Sequence, residues 1–219
     1  MSITENLNDL KKTLKSGVTL VAVSKTKPVE AVVEAYNTGH RVFGENKVQE
    51  MTGKWEQLPK DIEWHMIGHL QRNKVKYMAP YVSLIHGVDS LKLLAEINKQ
   101  ALKHERTIDC LLQMHIAQED TKFGLSEEEL TALLVSDQFK AMNNVRIRGL
   151  MGMATFTENE AQIRSEFQFL KAQFDSLKKS LPEVDILSMG MSGDYKIAMD
   201  CGSTMVRIGS SIFGARNYH

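Results

Sequence analysis

Eight short apolar runs, spread along the chain and separated by helix-patterned segments, constrain this sequence more than any other feature. They fall at 18–23, 41–43, 62–67, 82–85, 108–116, 145–151, 184–189 and 204–208 and carry β-branched residues. Most lack strict apolar–polar alternation, as parallel strands covered on both faces do. Between the first two, Val29, Val32, Val33 and Tyr36 recur with helical period; Pro28 suits the first helical position and Gly39 lies beyond the end. Leu91, Leu94, Ala95 and Leu102 form a second stripe after Asp89-Ser90. Ser126 and Glu129 have capping-box spacing ahead of Leu130, Leu133 and Leu134. Ile163, Phe167, Leu170, Phe174 and Leu177 make the longest amphipathic face. With an extra N-terminal helix at 4–15, the order predicts an α/β fold, a (β/α)8 TIM barrel. A doubly wound open sheet is the alternative, because strand count alone does not close a barrel.

No linker, repeat or low-complexity tract divides the 219 residues, which predicts one domain over 1–219. Lys plus Arg equals Asp plus Glu at 27 each, so charge gives no case for nucleic acid or an anionic membrane as partner. The N-terminus lacks a basic and apolar leader and no apolar run reaches membrane-spanning length, which predicts a cytoplasmic protein. Cys110 and Cys201 lack metal-ligand spacing and read as buried inert thiols. His65 and His69 stand four apart, but they cross a strand end and lack the glutamate of a helical zinc motif, so no metal is expected.

Chemistry concentrates at the two ends of the chain. Ser188-Met-Gly-Met-Ser192-Gly-Asp194 and Gly202-Ser-Thr-Met-Val-Arg207-Ile-Gly209-Ser-Ser211 are small-residue loops at the ends of the last two predicted strands. Glycines let backbone N–H groups approach a ligand, and a helix N-terminus favours an anion by ~0.3–1 kcal/mol. In barrels, phosphate is often held by the loops after strands seven and eight. Taken singly, Ser192 or Asp194 reads equally as a helix cap. Lys25 leaves the end of an apolar strand in Val21-Ala-Val-Ser-Lys25-Thr-Lys27-Pro28. Alone it is a solvated lysine; beside a phosphate cradle, burial and neighbouring positive charge would lower its pKa and free the amine for Schiff-base formation. Lys27, next to Pro28, competes for that role but is expected at the rim. Asn46, in Phe43-Gly-Glu-Asn46, faces the same mouth or caps the next helix. The methionines of Met151-Gly-Met153-Ala154 read as barrel filler.

Six blocks in order carry a resemblance: Ala22-Val-Ser-Lys-Thr-Lys-Pro28, Phe43-Gly-Glu-Asn46, Trp64-His-Met-Ile-Gly-His-Leu-Gln-Arg-Asn-Lys74, Gly149-Leu-Met-Gly-Met153, Ser188-Met-Gly-Met-Ser192 and Gly202-Ser-Thr-Met-Val-Arg-Ile-Gly209. Together they resemble the pyridoxal phosphate homeostasis protein family. The resemblance implies a barrel like the N-terminal domain of alanine racemase (PLP fold type III), with pyridoxal 5′-phosphate (PLP) at its mouth. It implies that Lys25 forms a covalent aldimine, that Ser192, Gly209 and Ser210 hold the phosphate, and that Arg207 faces the pyridine nitrogen. Asn46 would lie near the cofactor ring, and Met189 and Ile208 on or beside it.

The resemblance further implies a carrier and buffer of PLP, monomeric, with PLP-dependent apoenzymes as acceptors, rather than a known reaction. An arginine at the ring nitrogen disfavours its protonation and weakens the ring as an electron sink. Racemisation would also need a second base; Tyr195 or Tyr218 could substitute, and neither is placed by the sequence. The alternatives are a PLP-dependent racemase or related fold-type-III enzyme, and a PLP-free barrel aldolase. Lys122 and Lys27 are candidate accessory lysines for a second PLP site.

Overall fold

The computed structural model describes residues 2–119 and 123–214, so Lys122 and Tyr218 lie outside the described residues. Its eight strands are β1 (Thr19–Val23), β2 (Val42–Glu45), β3 (Glu63–Met66), β4 (Leu84–Val88), β5 (Ile108–Gln113), β6 (Val145–Met151), β7 (Ile186–Ser188) and β8 (Met205–Ile208). They pair in chain order, all parallel, into a closed barrel. β1 closes on β8 over four residues, Thr19↔Met205 to Ala22↔Ile208. The open-sheet alternative is thereby excluded. Closure is what strand counting lacked, since it depends on pairing between the chain's two ends.

The helices are α1 (Ile3–Thr13), α2 (Val29–Asn37), α3 (Val48–Gln57), α4 (Val75–Met78), α5 (Leu91–Lys103), α6 (Glu127–Val135), α7 (Asp137–Lys140), α8 (Glu160–Ser180), α9 (Tyr195–Asp200) and α10 (Ser210–Phe213). Local signals set several starts. Ser126 and Glu129 form the expected capping box of α6, and Ser90 accepts from Leu93 N at the start of α5. α1 opens on a second capping box, Ser2 with Glu5. Pro28 sits one position before the expected one, at the N-cap of α2.

Alternation along the strands sorts the core into two layers. Leu20, Ala22, Phe43, Trp64, Ile85, Leu112, Leu150, Val206 and Ile208 face outwards and pack under the helices. Val21, Leu84, Leu111, Met151 and Met205 fill the barrel interior. Interior places on β3, β4, β7 and β8 also hold His65, His86, Ser188 and Arg207, all buried. A polar layer there departs from the aliphatic filling usual in such barrels.

Burial of imidazoles has a cost that depends on pH. Desolvation pushes His65 down to about 3, His86 well below its ordinary range and His40 to about 4. These rings stay neutral in the fold but protonate below about pH 6.5 in the unfolded chain. The stability they permit is therefore complete above that pH and is lost as pH falls towards the folded values. Glu45, raised chiefly by burial, acts in the opposite sense, because its penalty grows as pH rises. Urea unfolding between pH 7 and 5 should show stability falling by up to about 1.4 kcal/mol per pH unit for each ring. His40→Gln should remove about one proton from that slope; an unchanged slope would rule His40 out as a contributor.

Candidate functional site

Where β1, β2, β7 and β8 end, a cleft of about 200 Å³ opens, lined by Lys25, Asn46, Ser192, Arg207, Gly209 and Ser210 among others. Six of the eight residues singled out from sequence thus share one concavity. Val23, Ile67, Met153 and Met191 supply apolar wall. Met189 and Ile208, expected against a ring, lie elsewhere. Both are fully buried in the outer layer, because inward-facing Ser188 and Arg207 precede them and the next residue in an extended strand turns outward. Met153, two residues beyond inward Met151, and Met191, in the loop after β7, stand at the cleft instead.

Lys25 continues the inward series of Val21 and Val23 into a turn that a buried ionic cluster holds. Lys54 Nζ on α3 donates to Glu45 Oε1 (2.7 Å), Ser24 O (2.8 Å) and Glu50 Oε1 (2.8 Å). Ser24 Oγ donates to Glu45 Oε1 at 2.5 Å, and Thr26 N to Glu50 Oε1 at 2.6 Å. Lys25 is therefore flanked by two anchored residues, and Thr26 is fixed in the left-handed region at φ 64. Burial pushes the Glu45 carboxyl up, opposed by the charge and hydrogen bond of Lys54. Its second oxygen accepts no hydrogen bond among the described residues. Lys27 also lines the cleft, with its Nζ donating to the carbonyls of Phe213 (2.9 Å) and Gly214 (3.1 Å).

Two short helices begin beside this turn. α10 starts after Gly209 and no side chain caps it. The leading N–H groups of a helix have no acceptor within it, so this end presents donors. α9 starts at Tyr195, so Asp194 rather than Ser192 is its N-cap, though it makes no side-chain cap bond. The Asp194 carboxylate instead accepts from Met191 N at 2.6 Å, tightening the loop that carries Ser192. Gly190 has φ +100, and a Cβ there would come within 2.6 Å of Ala198 Cβ, so this loop admits no side chain at that point. Asn46 is not a cap either, since Lys47 precedes α3. It is set by the loop after β3: a Cβ on Gly68 would lie 2.5 Å from Asn46 O, so the two backbones touch.

Arg207 is the one cleft cation buried in the wall. Nη1 donates to Ser188 O (2.9 Å) and Ser188 Oγ (2.5 Å), and Nη2 to Gly152 O (3.1 Å). These acceptors are neutral, and burial pushes the guanidinium down to about 10, which still leaves it charged at neutral pH. The sequence offered no sign of the Glu45–Lys54 pair, whose partners lie on separate elements. Ser188 and His86 were findable by counting two residues from inward neighbours. Tyr195 turns away: its hydroxyl lies 3.1 Å from Thr13 Oγ1 on α1. His65 points into the barrel, whereas His69 stacks on Phe123 at the mouth, so the pair shares no site. Among the described residues no group of three His, Cys, Asp or Glu is placed to hold a metal ion, and no helix is long and apolar enough to cross a membrane.

An amine, uncapped N–H donors with serine hydroxyls, a fixed guanidinium and apolar walls fit a small phosphorylated aromatic aldehyde. A family profile described as alanine racemase, N-terminal domain, matches residues 1–217. The pyridoxal phosphate homeostasis protein of Vibrio alginolyticus is 42% identical over 207 residues, covering 92% of this chain and 88% of that protein. The protein of the same name from Haemophilus influenzae is 37% identical over 233 residues, covering 100% and 98%. The structure of PipY from Synechococcus elongatus, with PLP bound, superposes with a TM-score of 0.89 at 35% identity, covering 97% of this chain and all of that one. Alanine racemase of Clostridium difficile shares the fold at TM-score 0.77, 16% identity and 57% of its own length.

The buried cluster beneath Lys25 makes a stability prediction. Lys54→Met should cost about 3–5 kcal/mol, because it leaves the Glu45 carboxylate uncompensated. Combining it with Glu45→Leu should recover most of that loss in a urea double-mutant cycle. Additive losses would mean that the two side chains are not energetically coupled.

Proposed function

This chain belongs to the pyridoxal phosphate homeostasis protein family, and on that premise we propose that it binds PLP in the cleft beside Lys25 and serves as an intracellular carrier and buffer of the cofactor. The reading is carried by one observation: an amine from the first strand end and donors from the last two strand ends line the same small cleft. Lys25 is assigned as the amine that bonds the aldehyde carbon. Ser192, Gly209 and Ser210 are assigned to the phosphate, with the leading N–H groups of α10 as further donors. Arg207 is assigned to the pyridine nitrogen and Asn46 to the ring's edge. The carrier is taken to be a cytoplasmic monomer that hands PLP to PLP-dependent apoenzymes.

When bound, PLP supplies an aldehyde that condenses reversibly with amines and a ring that stores electrons best when its nitrogen is protonated. Arg207 supports a carrier over a catalyst. It remains charged at neutral pH and meets a ring nitrogen as a donor, without surrendering a proton. Tyr195, a candidate second base, bonds at α1 rather than in the cleft.

Purified protein should be yellow, and borohydride should fix one PLP-sized adduct on Lys25. Lys25→Ala should lose that adduct while keeping its circular dichroism spectrum; an adduct still trapped at one site would move the assignment to Lys27. Arg207→Ala should weaken PLP retention by about 10–100-fold, the worth of a hydrogen bond to a charged group. Exchange of an amino acid's α-proton with solvent deuterium, at a rate proportional to protein, would instead establish an enzyme.

A further inference from the structure

A chain of buried side chains runs from the cleft across the barrel interior. Arg207 Nη1 lies 2.5 Å from Ser188 Oγ, which lies 2.9 Å from His86 Nδ1; His86 Nε2 lies 3.1 Å from His65 Nδ1. The four residues stand on β8, β7, β4 and β3 and are all buried. The donor inventory fixes the direction of this chain. A guanidinium only donates, so Ser188 Oγ accepts from Arg207. Among the described residues the hydroxyl proton then has His86 Nδ1 as its acceptor. A neutral ring that accepts at Nδ1 carries its proton on Nε2, and that nitrogen faces His65 Nδ1. In the reverse order, Arg207 and His86 would both donate to Ser188 Oγ and strand its own buried proton.

Charge points the same way. A proton on His86 would add a second buried cation next to Arg207, with Ser188 Oγ alone between them. Desolvation first, then the fields of His65 and Arg207, hold His86 well below its ordinary range. Desolvation and His40 hold His65 to about 3. Asp194 is the acidic group that acts on Arg207.

Building on the cofactor reading above, we propose that Ser188, His86 and His65 are positioning residues, a one-way hydrogen-bond chain that pins Arg207 to the barrel wall and presents it to the ring nitrogen as a fixed donor. The Gly152 carbonyl holds the other terminal nitrogen, so rotation of the guanidinium is opposed at both of its terminal nitrogens. The chain stores no mobile proton, and Arg207 meets a ligand in the same geometry throughout the neutral pH range.

Nitrogen-15 NMR of histidine-labelled full chain without cofactor tests this directly. Both rings, assigned with His86→Gln and His65→Gln, should be neutral and protonated at Nε2 from pH 5.5 to 8. Ser188→Ala should release His86 from a single tautomer and speed PLP loss to a scavenging apoenzyme about tenfold, and Ser188→Thr should restore both. An Nδ1-protonated His86, a ring that titrates inside that range, or unchanged His86 signals in Ser188→Ala would overturn the proposal. The ring signals decide it by themselves; a wild type that never takes up PLP would overturn the cofactor reading instead.

Discussion

Parallel pairing between β1 and β8, with Val21 beside Arg207 and Ala22 beside Ile208, is the contact on which the rest of the structure depends. It joins residues nearly the whole chain apart, so the loss of chain entropy is offset only when the other six strands are in place. The same pairing carries Lys25, two residues beyond Val23, to the cleft it shares with Gly209, where an added Cβ would lie 3.0 Å from Val23 O. The N-terminal helix reinforces the seam from outside. Leu7 is fully buried, Asn6 Nδ2 donates to Ile212 O at 3.0 Å, and Lys15 pairs with Asp200. Helix α1 therefore braces α9 and α10, the two short helices that follow the cleft-lining residues Ser192 and Gly209.

Two buried cations at this mouth are handled in different ways. Lys54 is neutralised by Glu45 and Glu50 and serves to shape the turn that carries Lys25. Arg207 donates to a hydroxyl and two carbonyls, all neutral, and its charge remains directed at the cleft. A compensated pair contributes shape with little net field, whereas an arginine on neutral acceptors keeps a field available to a ligand. Neutral histidines behind Ser188 extend that arrangement without adding charge.

Much of this was legible in the chain. Strand–helix alternation follows from local periodicity, and caps such as Ser90 and Ser126 act within a few residues, so their signals survive in sequence. Small-residue loops and a strand-end lysine each have an ordinary structural reading, and they mark chemistry only in combination, at neighbouring strand ends of one barrel. The outward placement of Met189 and Ile208 was missed because side-chain direction in a strand depends on register, and a shift of one residue reverses it. Of the two cap candidates the sequence offered for α9, Asp194 holds the N-cap position, but its carboxylate goes to Met191 N, a loop bond that competes with capping.

By itself, then, the amino-acid order determined the element types, the barrel expectation and the six residues that line one cleft, since each rests on short-range periodicity or on residue chemistry. Tertiary structure alone decided that the sheet closes, that Lys54 lies beneath Lys25, and that Arg207, Ser188, His86 and His65 join in one line. The hydrogen bonds of that line span 19 to 102 residues of sequence and the closing pair Thr19↔Met205 spans 186, whereas Lys54 and Glu45 are 9 apart. They exist because closing the barrel turns the inner faces of opposite strands towards a common axis, a geometry that no local window of sequence contains.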